Sequence, residues 1–148
     1  MTRRVIFLDI DGVLAPIRHW DRYEGLDPAC IQVLNEIAAQ GGADVVVSST
    51  WRYSRTVAEL QAELDAQGFT GRVIDKTPTG LMGAERGDEI AAWLAGHAVD
   101  GFVIIDDHLD MGALGAHLVQ THPAHGLRPA DAPPAIATLR RALEPRAT

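Results

Sequence analysis

Short apolar runs alternate with helical patterns along the chain. Val5–Leu8, Val45–Val47 and Phe102–Ile105 are continuous and partly β-branched, as expected of strands that are buried on both faces. Arg72–Asp75 and Leu118-Val119 are weaker strand candidates. Because strands alternate with helices, the pattern predicts an α/β fold of three layers, a Rossmann-like parallel sheet with helices on both faces.

Helical spacing of apolar residues fills the segments between these strands. The first helix is predicted to begin at Asp27-Pro28, an N-cap followed by proline at the first helical position, and to end at Gly41-Gly42. Lys76–Gly87, which holds proline and glycine, is predicted to be a loop. The other predicted boundaries are Ser54 and Gly68 for the second helix, Asp88 as the start of a third, and Pro133-Pro134 as the start of a last helix with Ile136, Leu139 and Leu143.

Length and composition limit what such a fold contains. A chain of 148 residues with 47% hydrophobic and 22% charged residues has the size and composition of a single globular domain, predicted over residues 1–148. One cysteine excludes an internal disulfide framework and any multi-cysteine zinc site. The apolar runs are too short to cross a bilayer and the first residues lack the apolar stretch of a secretory signal, so we expect a cytoplasmic protein without a membrane partner. The net charge of −7 argues against a broad basic surface for nucleic acid.

Polar residues follow each of the three strong strands. Asp9 and Asp11 come directly after the first strand, in the segment Asp9-Ile10-Asp11-Gly12. Ser48, Ser49 and Thr50 follow the second strand, and Asp106 and Asp107 follow Phe102–Ile105. Ligands of open parallel sheets bind beyond the carboxyl ends of the strands. The sequence therefore predicts that carboxylates and hydroxyls converge in one crevice.

Carboxylates packed at one edge repel each other, and a divalent cation relieves this repulsion. Oxygen ligands without a histidine cluster or thiolates favour Mg²⁺ over zinc. Alternate residues of an extended segment point to the same side, so Asp9 and Asp11 are predicted to face one substrate. One carboxylate can then attack phosphorus while the other transfers protons, and Gly12 lets the chain turn away.

Three motifs, in this order and each after an apolar strand, resemble those of the haloacid dehalogenase-type phosphohydrolase superfamily. The first is Asp9-Ile10-Asp11-Gly12-Val13-Leu14, the second is Ser48-Ser49-Thr50 and the fourth is Asp106-Asp107. The segments Ser48–Arg52 and Arg86–Leu94 are similar to the small domains of this superfamily that are associated with RNA-repair systems.

The resemblance implies a role for each motif residue. Asp9 would be the nucleophile that forms an aspartyl-phosphate, and Asp11 the acid and base, with its backbone carbonyl on Mg²⁺. Asp106 and Asp107 would complete the metal site with Asp9. These expectations make the protein a Mg²⁺-dependent phosphatase of phosphate monoesters.

Two roles stay open between candidates. A hydroxyl of the second motif, with Thr50 beside it, would bind the phosphoryl group; Ser49 is preferred from its Ser-x-Trp-Arg context, whereas Ser48 lies nearer the strand. The third motif should be a cation, and Arg86 precedes Asp106 by about the family's spacing. The family generally uses lysine there, so Arg86 departs from the pattern and Lys76 competes with it.

The segments between the motifs bear on the substrate. Val13–Ala43 and Tyr53–Glu85 are too short to form a separate cap domain, and an uncapped site admits a large substrate. An RNA or DNA end phosphate is the leading candidate; a nucleotide or sugar phosphatase and a non-catalytic interaction module are the alternatives. Trp51 and Arg52 either contact nucleic acid or pack on the sheet with the arginine paired to a carboxylate. The loop residues Arg18, His19, Trp20, Arg22 and Tyr23 either form a basic, aromatic rim around the crevice or are simply solvated.

Overall fold

A parallel five-stranded sheet forms the centre of the molecule. A computed structural model describes residues 3–19, 21–78 and 85–141. The strands are β1 (Arg4–Leu8), β2 (Ala43–Val47), β3 (Val73–Lys76), β4 (Gly101–Asp106) and β5 (Leu118–Gln120), in the spatial order β3-β2-β1-β4-β5. All pairs are parallel, so the α/β fold predicted from the alternating pattern is confirmed.

The order of strands reverses beside β1. The chain runs outward from β1 through β2 to β3 and then returns to place β4 on the other side of β1. The register of β1 aligns Leu8 with Val47 and with Ile105, so the three strands end at the same level. This switch point is where open α/β sheets bind ligands, and the predicted acidic residues follow directly.

Helices cover both faces of the sheet. The helices are α1 (Pro28–Gly41), α2 (Val57–Asp65), α3 (Arg86–Ala95) and α4 (Ala132–Arg140), with short 3-10 helices at Thr50–Tyr53, Gly112–His117 and Pro129–Asp131. One apolar cluster joins the sheet to residues of α1, α2 and α4. The second cluster lies under α3, where Phe7 packs edge-on against Trp93 at a centroid distance of 5.4 Å. Two layers of helix thus enclose a sheet whose central strands are buried on both faces.

Several helix boundaries differ from those predicted, among them the end of α2 at Asp65 rather than Gly68 and the start of α4 at Ala132 rather than Pro133. Asp27 does cap α1 by accepting a hydrogen bond from the amide of Ala29, as predicted. Ser54 does not cap α2; the cap is Thr56, which exchanges hydrogen bonds with Glu59 in a capping box.

The start of α3 also differs from the prediction. The helix begins at Arg86, two residues before the predicted start at Asp88, because the Asp88 carboxylate accepts the amide of Glu85 and so stabilises an earlier first turn. The predicted loop Lys76–Gly87 is thereby shortened at both ends, since Lys76 belongs to β3. Its central residues 79–84, the predicted helix residue Leu143 and Trp20 of the candidate rim lie outside the described residues.

Neither long connection forms a separate cap within the described ranges. The first holds a loop and α1, and the second holds a 3-10 turn, α2 and β3. The carboxyl edge of the sheet therefore has no second domain over it in the described part of the chain. Of the helices in these ranges, none has both the length and the apolar character needed to cross a membrane.

Candidate active site

Three carboxylates from two neighbouring strands meet at the switch point. Asp9 follows β1, and its amide continues the ladder by donating to the carbonyl of Ile105 at 3.0 Å. Asp106 ends β4 and Asp107 follows it. Asp9 and Asp106 are almost completely buried, with 4% and 0% of their surface exposed. The convergence of carboxylates expected from the strand ends is present.

Arg86 lies between two of these carboxylates. Its Nη1 atom is 3.0 Å from Oδ1 of Asp9 and 2.7 Å from Oδ2 of Asp106. As the first residue of α3, Arg86 is aimed over the sheet edge by the helix that covers this face. Burial lowers the pKa of Arg86, but the carboxylates of Asp9 and Asp106 more than offset this effect and raise the pKa overall. The guanidinium is therefore a permanent positive charge in the site.

One arginine does not balance the acidic cluster. Three carboxylates and one guanidinium leave two negative charges when all are ionised. Burial, and next the charge of Asp106, raise the pKa of Asp9 to about 7, while Arg86 lowers it. The site thus carries the repulsion that a divalent cation would relieve.

The donor atoms fit a hard cation. One ligand atom each from Asp9, Asp106, Asp107 and His108 lies within 4.8 Å of the others. Both oxygens of Asp106 are engaged, by Arg86 and by the amide of His108. In contrast, Oδ1 of Asp107 is buried and accepts no hydrogen bond from the described residues. A set dominated by carboxylate oxygens suits Mg²⁺, and Asp107 offers it Oδ1, beside which Nδ1 of His108 lies at 3.1 Å.

His108 borders the cluster on its solvent side. Its side chain is 65% exposed, and Nδ1 lies 3.1 Å from Oδ1 of Asp107 and 3.3 Å from Oδ1 of Asp106. Burial lowers the pKa of His108, but the charges of Asp107 and Asp106 outweigh burial and raise it overall. The imidazole therefore shields the same carboxylates that a metal ion would bind.

Asp11 lies beside the cluster and contacts a different partner. Its Oδ1 atom accepts a hydrogen bond from the hydroxyl of Tyr23 at 2.8 Å. Burial, and next the Asp11 carboxylate, raise the pKa of Tyr23 well above its ordinary value, so the phenol remains a donor. Asp11 is thus held at the solvent side of the site by a residue of the following loop.

Gly12 turns the chain tightly against Asp107. Its φ angle is +80°, and a Cβ atom at this position would lie 2.5 Å from Oδ2 of Asp107. The turn is fixed by Thr121, whose hydroxyl donates to the carbonyl of Gly12 at 2.7 Å. Glycine is required here both by the backbone angle and by the space.

The hydroxyls after β2 have different surroundings. Ser49 accepts the amide of Trp51 at 3.2 Å and caps a 3-10 helix, whereas Thr50 is exposed. Ser48 is fully buried, and its Oγ has no hydrogen-bond partner in the described part of the chain. Alternation along the strand places Ser48 on the same face as Val46, which is the face covered by α3.

A neighbouring hydroxyl escaped the sequence analysis. Thr77 follows the register pair Val47–Lys76 and so lies next to Ser48 across β2 and β3. It is 1% exposed, and among the described residues its Oγ1 also lacks a partner. Only its position after a short edge strand could have pointed to it.

The two candidate cations have different partners. While Arg86 contacts Asp9 and Asp106, the ammonium of Lys76 donates to the backbone carbonyls of Arg52 and Arg55 at 3.1 and 2.9 Å. Lys76 therefore holds the segment after β2, and within the described ranges it makes no ion pair with an acidic side chain.

Arg52 is buried inside the site rather than displayed on its rim. Its Nη1 donates to the carbonyls of Ser48 and Ser49 at 2.9 and 2.8 Å, and its Nη2 donates to Glu89 of α3 at 2.5 Å. Trp51 packs partly buried against the core, with the guanidinium of Arg55 4.1 Å above its ring. Of the two interpretations of Trp51 and Arg52, packing with a paired arginine is the one observed.

Comparison with known proteins adds the family. No curated protein sequence matches the chain. The sequence profile described as "HAD domain in Swiss Army Knife RNA repair proteins" matches residues 5–132, from β1 into the start of α4, and so covers all the motif residues. The chain therefore belongs to the family of haloacid dehalogenase-type domains found in Swiss Army Knife RNA repair proteins.

Proposed function

We propose that the protein is a Mg²⁺-dependent phosphatase that hydrolyses a phosphate monoester through an aspartyl-phosphate at Asp9. The observation that carries this proposal is the group of Asp9, Asp106 and Asp107, of which the first two are buried, with Arg86 between those two. Membership of a family of phosphohydrolase type supports the general reaction class.

Three groups would hold the ion. Asp107 would supply its Oδ1, Asp9 one carboxylate oxygen, and Asp11 its backbone carbonyl, as the resemblance to the superfamily implies. Asp106 serves the site indirectly, because both of its oxygens hold Arg86 and the following turn. When bound, Mg²⁺ neutralises charge between the nucleophile and the phosphoryl group and so lets two anions approach.

Asp9 attacks phosphorus, so that a bond from its carboxylate to phosphorus forms as the bond to the leaving oxygen breaks. Asp11 gives its proton to that oxygen, and the leaving group departs as an alcohol while the phosphoryl group stays on Asp9. Because Tyr23 occupies Oδ1 of Asp11, the transferred proton resides on Oδ2. In the second half, Asp11 takes a proton from water, the oxygen of which attacks phosphorus and releases Asp9 and inorganic phosphate.

Arg86 and a hydroxyl hold the phosphoryl oxygens. Arg86 is favoured over Lys76 because it already contacts the nucleophile, whereas Lys76 binds backbone carbonyls. Ser48 is favoured over Ser49 because its buried hydroxyl is free and shares the face of Arg86. These donors stabilise the charge that develops on the phosphoryl group.

The substrate we propose is a phosphorylated end of RNA or DNA. The family's description places such domains in RNA repair proteins, and the described connections form no cap that would exclude a large substrate. A small nucleotide or sugar phosphate is the alternative substrate, and an interaction module without activity is the alternative function.

Phosphate release from defined substrates tests the proposal. The full chain is assayed with Mg²⁺ on end-phosphorylated oligonucleotides, mononucleotides and sugar phosphates. We expect release that needs Mg²⁺, is fastest on oligonucleotide ends, and is lost in Asp9→Asn and Asp11→Asn. Asp65→Asn, a change at an exposed site on α2, is the matched control and should keep the activity. Equal turnover by Asp9→Asn would overturn the mechanism, and preference for mononucleotides would overturn the substrate class.

A further inference from the structure

A groove adjoins Asp11, and Asp9, Asp106 and Asp107 are not among its lining residues. It has a volume of about 210 Å³ and is lined by Asp11, Ile17, His19, Arg22 and Tyr23. Two of the large apolar side chains exposed on the molecule belong to it, since Ile17 is 45% and Tyr23 is 57% exposed. Exposed apolar side chains that lie together next to a candidate active site are typical of a ligand-binding groove.

The loop that forms the groove is tied to the rest of the fold. Arg18 bridges Glu24 and Asp27, and Asp27 is also the cap of α1. On the other side, the amide of Ile17 donates to the carbonyl of Pro123 at 2.8 Å. These contacts fix the loop, and with it the position of the groove relative to Asp11.

The position of Tyr23 defines what lies in the groove. Its hydroxyl is 2.8 Å from the carboxylate of Asp11, which in the proposed reaction protonates the leaving oxygen. The atoms attached to that oxygen must therefore lie within a few ångströms of the phenol ring. The exposed ring consequently borders the leaving group, while the phosphoryl group lies on the side of Asp9.

We infer that this groove binds the terminal nucleoside of the substrate, with its base stacked on Tyr23 beside Ile17. This inference rests on the proposed function and names the part of the substrate that the site recognises. An aromatic face stacks any base, whatever its sequence. Arg22 and His19, whose side chains are 66% and 50% exposed, line the same groove and offer hydrogen-bond donors to the next phosphate of a strand; Oε1 of Glu24 lies 3.7 Å from each. A plain sugar phosphate offers no planar face to the ring.

The experiment compares ends with and without a base. An oligonucleotide with a terminal phosphate is matched with one whose phosphorylated terminal residue is abasic, and kcat and KM are measured for the wild-type chain. Tyr23→Ala removes the ring, Tyr23→Phe keeps the ring but loses the bond to Asp11, and Tyr53→Ala removes an equally exposed tyrosine that does not line the groove. Binding to the Asp9→Asn chain by fluorescence anisotropy provides a readout that needs no turnover.

We expect Tyr23→Ala to raise KM for the end with a base by roughly 5- to 100-fold, and to change KM for the abasic end less than about two-fold. Tyr23→Phe should keep KM and lower kcat, because Asp11 loses its positioning partner. Tyr53→Ala should match the wild type.

The inference would be overturned if the wild type had equal KM values for the base-bearing and the abasic end, or if Tyr23→Ala raised KM equally for both. Either result would leave the proposed phosphatase function intact. Absence of turnover together with tighter binding of the base-bearing end to Asp9→Asn would overturn the proposed function and leave the subsite intact. Absence of both turnover and discrimination in binding would overturn both.

Discussion

The buried ion pair between Arg52 and Glu89 joins the segment after β2 to α3. Arg52 is 1% exposed and its three hydrogen bonds go to the carbonyls of Ser48 and Ser49 and to Oε2 of Glu89. Glu89 lies one helical turn after Arg86, so the two side chains leave α3 on the same face. We predict that Glu89→Ala destabilises the protein and displaces Arg86.

The cost follows from what remains after the change. Without Glu89, the guanidinium keeps its two carbonyl partners but stays buried with an uncompensated charge, and its Nε has no partner within the described residues. Removal of one member of a buried pair costs about 3–5 kcal/mol. The Glu89 side chain retains 12% exposure, which admits some water, so we expect the lower end, about 3 kcal/mol. Glu89→Gln keeps an acceptor and should cost about 1–2 kcal/mol.

Urea unfolding of the wild type and variants measures these differences. Glu63→Ala is the matched control, since Glu63 is also a helix residue 2.5 Å from an arginine, Arg55, but is 41% exposed. Its loss should cost less than about 1 kcal/mol. Changing both Arg52 and Glu89 to Met should cost at least about 1 kcal/mol less than the sum of the single changes, because no buried charge is left. Equal costs for Glu89→Ala and Glu63→Ala, or additive single changes, would refute the reasoning.

Three further predictions concern the acidic cluster. The raised pKa of Asp9, about 7 against 3.8, means that the folded protein binds more protons than the unfolded chain between these values, so its stability falls as the pH rises through this window. With EDTA at pH 8, Asp9→Asn should therefore be more stable than the wild type by up to about 4 kcal/mol. At about pH 4 the two proteins should be nearly equal in stability, and a variant less stable than the wild type at pH 8 would contradict this prediction. Mg²⁺ at about 100 times its Kd should raise Tm by about 5–10 °C in the wild type but not in Asp107→Asn; an equal shift in that variant would exclude Asp107 as a ligand. Gly12→Ala should cost about 1–3 kcal/mol and abolish the Mg²⁺ shift, since its Cβ would lie 2.5 Å from Oδ2 of Asp107; a preserved shift in thermal unfolding would show that Asp107 tolerates the displacement.

Local patterns were sufficient for the sheet and for the place of the acidic residues. Continuous apolar runs predict buried parallel strands because both faces of such strands are covered. Residues that directly follow adjacent parallel strands lie next to each other at the carboxyl edge of the sheet, so the sequence alone predicts that Asp9 and Asp106 are close together. The cap of α2 was also readable, since Thr56 and Glu59 have the spacing of a capping box, although Ser54 was predicted instead.

The sequence by itself thus determined the fold class, the family motifs and which strand ends carry carboxylates, because these depend on periodicity and on residues close together in the chain. Only the tertiary structure decided the partners: Arg86 on Asp9, Arg52 on Glu89, and Tyr23 on Asp11. Each of these contacts joins side chains from different elements, and its distance is set by how helices and loops pack on the sheet. Packing at this scale is the sum of many weak contacts across the whole core, which no local pattern of residues records.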